Sequence, residues 1–160
     1  MAGAATPADL ATVRERLGRE PTAEFEVVVR DALGEPVVLC NAPFTRDGTP
    51  MPTRFWLVDP TLNLAISRLE GDGGVRAAER AVDADDLVAA HDRYASERDV
   101  AIPAEHDGPR PFGGVGGTRR GVKCLHAHYA WHLAGGDDPV GRWIELRLAG
   151  GEPARSGTGP

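Results

Sequence analysis

The chain has 160 residues, 41% of them apolar and 26% charged, with a net charge of −6 at pH 7. These values describe one globular domain with its own core, and the acidic balance argues against binding along a nucleic-acid backbone. Two cysteines are too few for a disulfide framework, and the sequence predicts neither a signal peptide nor an apolar stretch of about 20 residues that could cross a bilayer. We therefore expect a cytoplasmic protein with reduced thiols and no membrane contact.

The N-terminal part predicts a helix followed by β-strands. Thr6 and Pro7 form an N-cap with proline at the first helical position, and Gly18 is the expected end of the helix. β-Rich runs separated by a turn then predict an antiparallel hairpin, and a short aromatic run predicts one more strand. These strands are expected at residues 24–29, 36–40 and 54–58.

The rest of the chain predicts mainly helices. Asp59 with Pro60 repeats the cap-plus-proline signal, as does Asp138 with Pro139. Strands that come first and helices that follow favour an α+β fold: a single domain over residues 1–149, with an N-terminal helix and a small antiparallel sheet packed by four or five helices. Residues 150–160 have the composition of a disordered tail. The other helices are expected at residues 75–82, after Asp83, and at residues 122–133.

A glycine-rich loop and the basic residues after it form the first candidate site. Backbone amides in such a loop can make a nest for a phosphate or carboxylate, and neighbouring cations would add charge. A small anionic ligand is therefore one expected partner. The residues assigned to this anion site are Gly114, Gly116, Gly117, Arg119, Arg120 and Lys123.

The helix that follows carries a thiol and two imidazoles. At about 100° per residue, Cys124 and His128 share one face, one turn apart, whereas His126 points away from His128. We therefore expect Cys124 and His128 to be the reactive or ligating pair. His126 could join them only if Cys124 still belonged to the loop and the helix began later.

Three chemistries suit this segment, and the sequence leaves them open. Cys124 and His128 could be two ligands of zinc or another divalent ion, or Cys124 could be a nucleophile whose thiolate is stabilised by the helix N-terminus. The third is the anion site described above. Against all three stands a structural interpretation, in which the thiol is a small buried hydrophobe and the histidines are hydrogen-bonded core residues.

Several segments in a fixed order resemble one bacterial protein family. The sequence resembles the uncharacterised domain-of-unknown-function family 501, common in actinobacteria, over most of the chain. The resemblance implies a cytoplasmic bacterial protein and no established activity. The segments that carry it are Leu17-Gly18-Arg19, residues 47–53, Trp56-Leu57, Ser67-Arg68-Leu69-Glu70, Lys123-Cys124-Leu125-His126 and Pro139-Val140-Gly141.

Two departures from the family pattern bear on a metal site. Where the family pattern has cysteines, after the first hairpin strand and after the Trp-Leu strand, this chain has Asp31 and Asp59. The resemblance therefore implies a metal site formed by Cys124, His126 and His128 with two carboxylates in place of thiolates, a change that favours a harder ion. Equally, the two exchanges could mean that no ligand is needed at these places.

The leading interpretation is a metal- or anion-binding protein with a Cys/His site, extended to an enzyme acting on a small phosphorylated or carboxylated molecule. The alternative is a non-catalytic protein-interaction module with a buried structural Cys/His pair. A polar pocket at Cys124 would favour the first, and a buried, dry Cys124 beside an exposed apolar patch would favour the second.

Overall fold

The computed structural model describes residues 3–150, so the tail expected at residues 150–160 lies outside this range except for Gly150. The fold is α+β, as the sequence predicts: an N-terminal helix, one antiparallel sheet and five further helices. The sheet has the order β1-β2-β3-β4, so β1 and β4 are its edges. Its strands are β1 (Gly3–Ala4), β2 (Phe25–Arg30), β3 (Pro36–Asn41) and β4 (Phe55–Leu57).

Aspartate and threonine caps start most of the helices where the sequence predicts them. Thr6 and Asp9 form a capping box at the first helix, and the side chains of Asp59, Asp83 and Asp138 accept backbone N–H groups at three others. The helices are α1 (Pro7–Leu17), α2 (Pro60–Gly71), α3 (Gly74–Ala81), α4 (Ala84–Val100), α5 (Leu125–Leu133) and α6 (Pro139–Leu148). Between residues 3 and 150, none of these helices is both long enough and apolar enough to span a bilayer.

The alternation of the strands divides the core in two. Val38 and Leu57 belong to the larger cluster, which the sheet shares with α2, α4, α5 and α6, whereas Val27 and Leu39 belong to a smaller cluster beneath α1. Helix α5 packs directly against β4. β4 is an edge strand, so among residues 3–150 no further strand of the sheet lies on its outer side. The start of α5 and one side of α2 meet there.

Two elements differ from the sequence prediction. The two-residue strand β1 pairs with β2 and was not predicted. Helix α5 begins at Leu125 rather than at Val122, and Cys124 is its extended N-cap residue with φ −148°. The three residues before α5 therefore remain in the loop, which changes the directions of the side chains that follow.

Candidate functional site

The start of α5 brings a thiol, an imidazole and a carboxylate together. Glu70, near the end of α2, accepts the backbone N–H of Leu125 through Oε1 at 2.8 Å, so it supplies the cap that Cys124 does not. The same Oε1 lies 3.3 Å from Nδ1 of His126, and Sγ of Cys124 lies 3.9 Å from that nitrogen. Potential ligand atoms of the three residues all lie within 4.8 Å of one another.

Both ring nitrogens of His126 have hydrogen-bond partners. Nε2 lies 3.3 Å from the carbonyl oxygen of Asn63 and 3.2 Å from Oγ of Ser67. If Nε2 carries the proton, it donates to the carbonyl of Asn63, and Nδ1 presents a lone pair that can bind an ion beside the Glu70 carboxylate. If Nδ1 carries the proton, it donates to Oε1 of Glu70, and Nε2 accepts the hydroxyl of Ser67. The surroundings of His126 therefore suit both tautomers.

Two of the three separations between these atoms are close to those around a tetrahedral ion. Zinc binds sulfur at about 2.3 Å and nitrogen or oxygen at about 2.0–2.2 Å, which places sulfur and nitrogen about 3.6 Å apart and nitrogen and oxygen about 3.4 Å apart. The corresponding distances here are 3.9 Å between Sγ and Nδ1 and 3.3 Å between Nδ1 and Oε1. The bond to the Asn63 carbonyl is the kind of outer contact that orients metal-binding histidines.

In the absence of an ion, the same surroundings favour a protonated ring. The hydrogen bond with Cys124, followed by the charge of Glu70, raises the pKa of His126 to about 8, although partial burial opposes the shift. About a quarter of the His126 side chain is exposed (26%), so solvent reaches the group. The doubly protonated ring donates through Nδ1 to the carboxylate of Glu70.

His128 is not part of this site. Its ring is fully buried, and Nδ1 donates to Oδ2 of Asp138 at 2.7 Å, while Oδ1 of Asp138 caps α6. The His91 ring packs edge-on against it at 5.8 Å between centroids. The expected pairing of Cys124 with His128 is therefore corrected: because α5 begins one residue after Cys124, the thiol contacts His126 instead, the arrangement that the sequence analysis allowed only for a later helix start.

The two aspartates proposed as further ligands have other contacts. Oδ1 of Asp59 accepts the backbone N–H of Leu62 at the start of α2. Oδ1 of Asp31 accepts the N–H groups of Leu33 and Glu35 in the exposed hairpin turn. Among residues 3–150, the group of ligand atoms contains neither carboxylate.

The glycine loop uses its amides internally. The N–H of Gly114 donates to the Thr118 carbonyl at 2.7 Å, and that of Gly117 donates to the Gly114 carbonyl at 3.0 Å. Val115 donates to Nδ1 of His91 at 3.1 Å. Because these three N–H groups already donate within the protein, they are not available to a bound anion. The loop therefore does not present them as an anion-binding nest. Gly116, at φ 67°, lies with its Cα beside Lys123 and Cys124.

The three basic residues of the expected anion site diverge. Arg119 stacks on the exposed Phe112 ring, with Cζ 4.2 Å from its centroid. Arg120 lines a different cavity, together with Glu79. The side chains of Arg119, Arg120 and Lys123 are all exposed, and Lys123 lies in the loop before Cys124. The structure therefore does not bring them to one point.

Two residues of the site were not identified from the sequence. The sequence analysis named Glu70 only within a segment shared with the family, and it did not single out Asn63. One signal was present for Glu70: a carboxylate in the last turn of a helix is disfavoured by the helix dipole, so it needs a compensating partner. The role of Asn63 is carried by its main-chain oxygen, which has no sequence signature.

A small cavity adjoins the site. It has a volume of about 270 Å³ and lies between the end of α1, the edge strand β4 and the start of α5. Cys124 and His126 form part of its wall. The site can therefore be reached by a small molecule.

Comparisons with known proteins agree with the family resemblance. A family model described as "Protein of unknown function (DUF501)" matches residues 27–145. Searches of the curated proteins and of the solved structures found no significant match.

Proposed function

Since this chain belongs to domain-of-unknown-function family 501, whose description assigns no activity, we propose a function from the geometry of the site: the protein binds a divalent transition-metal ion through Glu70, Cys124 and His126. Zinc is the ion that suits this set best, because thiolate, imidazole and carboxylate are all zinc ligands. The observation that carries the proposal is that ligand atoms of Glu70, Cys124 and His126 all lie within 4.8 Å of one another, beside a cavity lined by Cys124 and His126.

Three protein ligands leave one position of a tetrahedral ion open. Structural zinc sites usually have four protein ligands, whereas catalytic sites have three and keep the fourth place for water or substrate. Here Cys124 and His126 also line a cavity, so a fourth ligand could enter from that side. We therefore assign the ion to substrate binding and activation rather than to a purely structural role.

The protonation of His126 would compete with the metal. Metal binding requires a neutral imidazole, and the pKa of His126 is raised to about 8. The apparent zinc affinity is accordingly expected to increase as the pH rises toward 8 and to change less above it.

The test is metal content and cobalt spectroscopy. Protein purified without a metal-affinity tag should contain close to one zinc per chain, and the cobalt form should show the near-ultraviolet charge-transfer band of a thiolate ligand. Cys124→Ser should remove this band. Cys40→Ser is the matched control, because Cys40 is the other half-buried thiol and contacts Arg54 instead. Loss of the band in Cys40→Ser, or its absence from the unaltered protein, would refute the proposal.

A metal-free thiol nucleophile is the second candidate. The 3.9 Å contact between Cys124 and His126 is that of a Cys–His pair, in which the histidine takes the thiol proton. Alkylation by iodoacetamide separates the two functions. Fast modification of Cys124 that zinc does not slow would favour the nucleophile, and protection by one equivalent of zinc would favour the metal site.

A further inference from the structure

Most of the surface of the cavity beside the proposed metal site is apolar. Leu17, from the end of α1, and Phe55, Trp56 and Leu57, the whole of β4, contribute aliphatic and aromatic surface. Its volume of about 270 Å³ is slightly below the roughly 300–1,000 Å³ of pockets for drug-sized ligands. A ligand that fills it is therefore small.

The apolar part of the cavity offers a ligand no charged partner. Its lining contains no Lys, Arg, Asp or Glu among the described residues 3–150, and Arg119, Arg120 and Lys123 do not line it. A charged group placed against the apolar walls would lose its hydration without gaining a partner, which is unfavourable. The part of a ligand that lies away from His126 and the proposed ion is therefore expected to be uncharged.

The polar residues that line the cavity are Thr53, Asn63, Cys124 and His126. Cys124 and His126 lie at the start of α5, and Thr53 adds a half-buried hydroxyl just before β4. A ligand oriented by these walls would direct an oxygen-bearing head toward the metal and place its apolar body against Leu17 and Trp56. Such a division between an apolar body and a few polar groups is usual for small-molecule sites.

From these observations we infer that the site takes a small molecule with an aromatic or branched aliphatic body and a single oxygen-bearing head that completes the coordination of the metal. This inference rests on the proposed metal site and adds the ligand class to it. The head would be held at the open metal position beside Cys124 and His126.

Two hydroxamates with the same head test the inference on the zinc-loaded, full-length protein. Acetohydroxamate carries a methyl group and benzohydroxamate a phenyl ring, and both bind zinc through the same oxygens. Burial of the ring in the cavity should make benzohydroxamate bind about ten-fold tighter or more, measured by calorimetry. Equal affinities would overturn the ligand class while leaving the zinc site intact. Failure to bind zinc at all would remove both proposals.

Substitutions in the wall localise the effect. Leu17→Gln adds a polar amide to the cavity, and Ala127→Met fills part of it from α5, so each should abolish the preference for the phenyl ring. Zinc content should stay at the level of the unaltered protein in both. Leu146→Gln is the control, because Leu146 is 65% exposed on α6. A phenyl preference that survives both wall substitutions would place the ring outside the cavity and overturn the inference.

Discussion

Two histidines two residues apart on α5 lie in opposite surroundings. His126 is half-buried, faces a cavity and contacts a thiol and a carboxylate from outside its own helix. His128 is fully buried between α5 and α6 and donates to Asp138, which is itself fully buried. We call His126 with Glu70 and Cys124 the open pair region, and His128 with Asp138 and His91 the closed pair region. The same residue type thus belongs to the proposed metal site in one place and to the hydrophobic core in the other.

The difference follows from what each imidazole can do. In the open pair region a proton or ion can enter and leave, because solvent reaches His126. In the closed pair region Nε2 of His128 has no hydrogen-bond partner among residues 3–150. The ring therefore makes one hydrogen bond, to Asp138, and otherwise only packing contacts. The short distance in sequence between a histidine and Cys124 therefore does not show whether that histidine can bind a ligand. Solvent access to the ring and the hydrogen-bond partners of its nitrogens decide this.

The largest expected effect is loss of stability in the closed pair region. Asp138→Ala removes the cap of α6 and leaves a buried imidazole N–H without an acceptor, which together should cost roughly 2–4 kcal/mol. Asp59→Ala is the matched control, since Asp59 caps α2 without a histidine and should cost about 1 kcal/mol. Urea unfolding measures both. Equal losses would mean that the contact with His128 contributes nothing.

The second effect is stabilisation by metal in the open pair region. Zinc at 100 times its dissociation constant should raise the free energy of unfolding by about 2.7 kcal/mol, because only the folded chain assembles the ligands. Glu70→Gln should lose most of this gain. Glu79→Gln is the control: its carboxylate also accepts a loop N–H, that of Val122, but lies outside the ligand group. Similar zinc responses of the two variants would argue against Glu70 as a ligand.

The third effect is a change in stability of opposite sign when two glycines are replaced by alanine. A Cβ at Gly114 would lie 2.5 Å from Cβ and 2.7 Å from Cα of His91, so Gly114→Ala should destabilise the closed pair region by about 1–3 kcal/mol. Gly71, beside Glu70 in helical conformation, has open space, and Gly71→Ala should stabilise by about 0.5 kcal/mol. Thermal unfolding of both variants gives the two signs. A stabilising Gly114→Ala would show that the approach to His91 is not tight.

The smallest effect is a pH dependence of opposite sign at two histidines in the metal-free protein. The contact with Cys124, and then the charge of Glu70, raises the pKa of His126 to about 8, so its stabilisation is present below pH 6.5 and is lost as the pH rises through 8. Burial lowers the pKa of His91, so stability falls as the pH drops below 6.5 and the unfolded state takes up the proton. NMR titration of the ring protons measures both. Identical titration of the two rings would contradict the comparison.

Much of the fold could be predicted because its signals are local. Caps followed by proline placed α2 and α6, and β-rich runs placed the hairpin, since these patterns act within a few residues. The start of α5 was missed because its cap is not local: the acceptor for Leu125 is Glu70, 55 residues earlier in the chain.

The same non-local cap explains what could be predicted of the site. The sequence pointed to Cys124 and the neighbouring histidines, but a helix assumed to begin at Val122 directs Cys124 toward His128. Moving the start to Leu125 leaves Cys124 extended and brings it to His126. Glu70 could be placed beside them only once the packing of α2 against α5 was known.

The short reach of the proposed ligands has a consequence for the kinetics of ion uptake. Nδ1 of His126 and Sγ of Cys124 each lie only a few bonds from the main chain. Glu70 has a flexible side chain, but its carboxylate already accepts the backbone N–H of Leu125. Few rotamers remain to be frozen when an ion arrives, so the entropic cost of coordination is small. We expect zinc uptake to follow simple second-order kinetics, without a slow rearrangement after encounter.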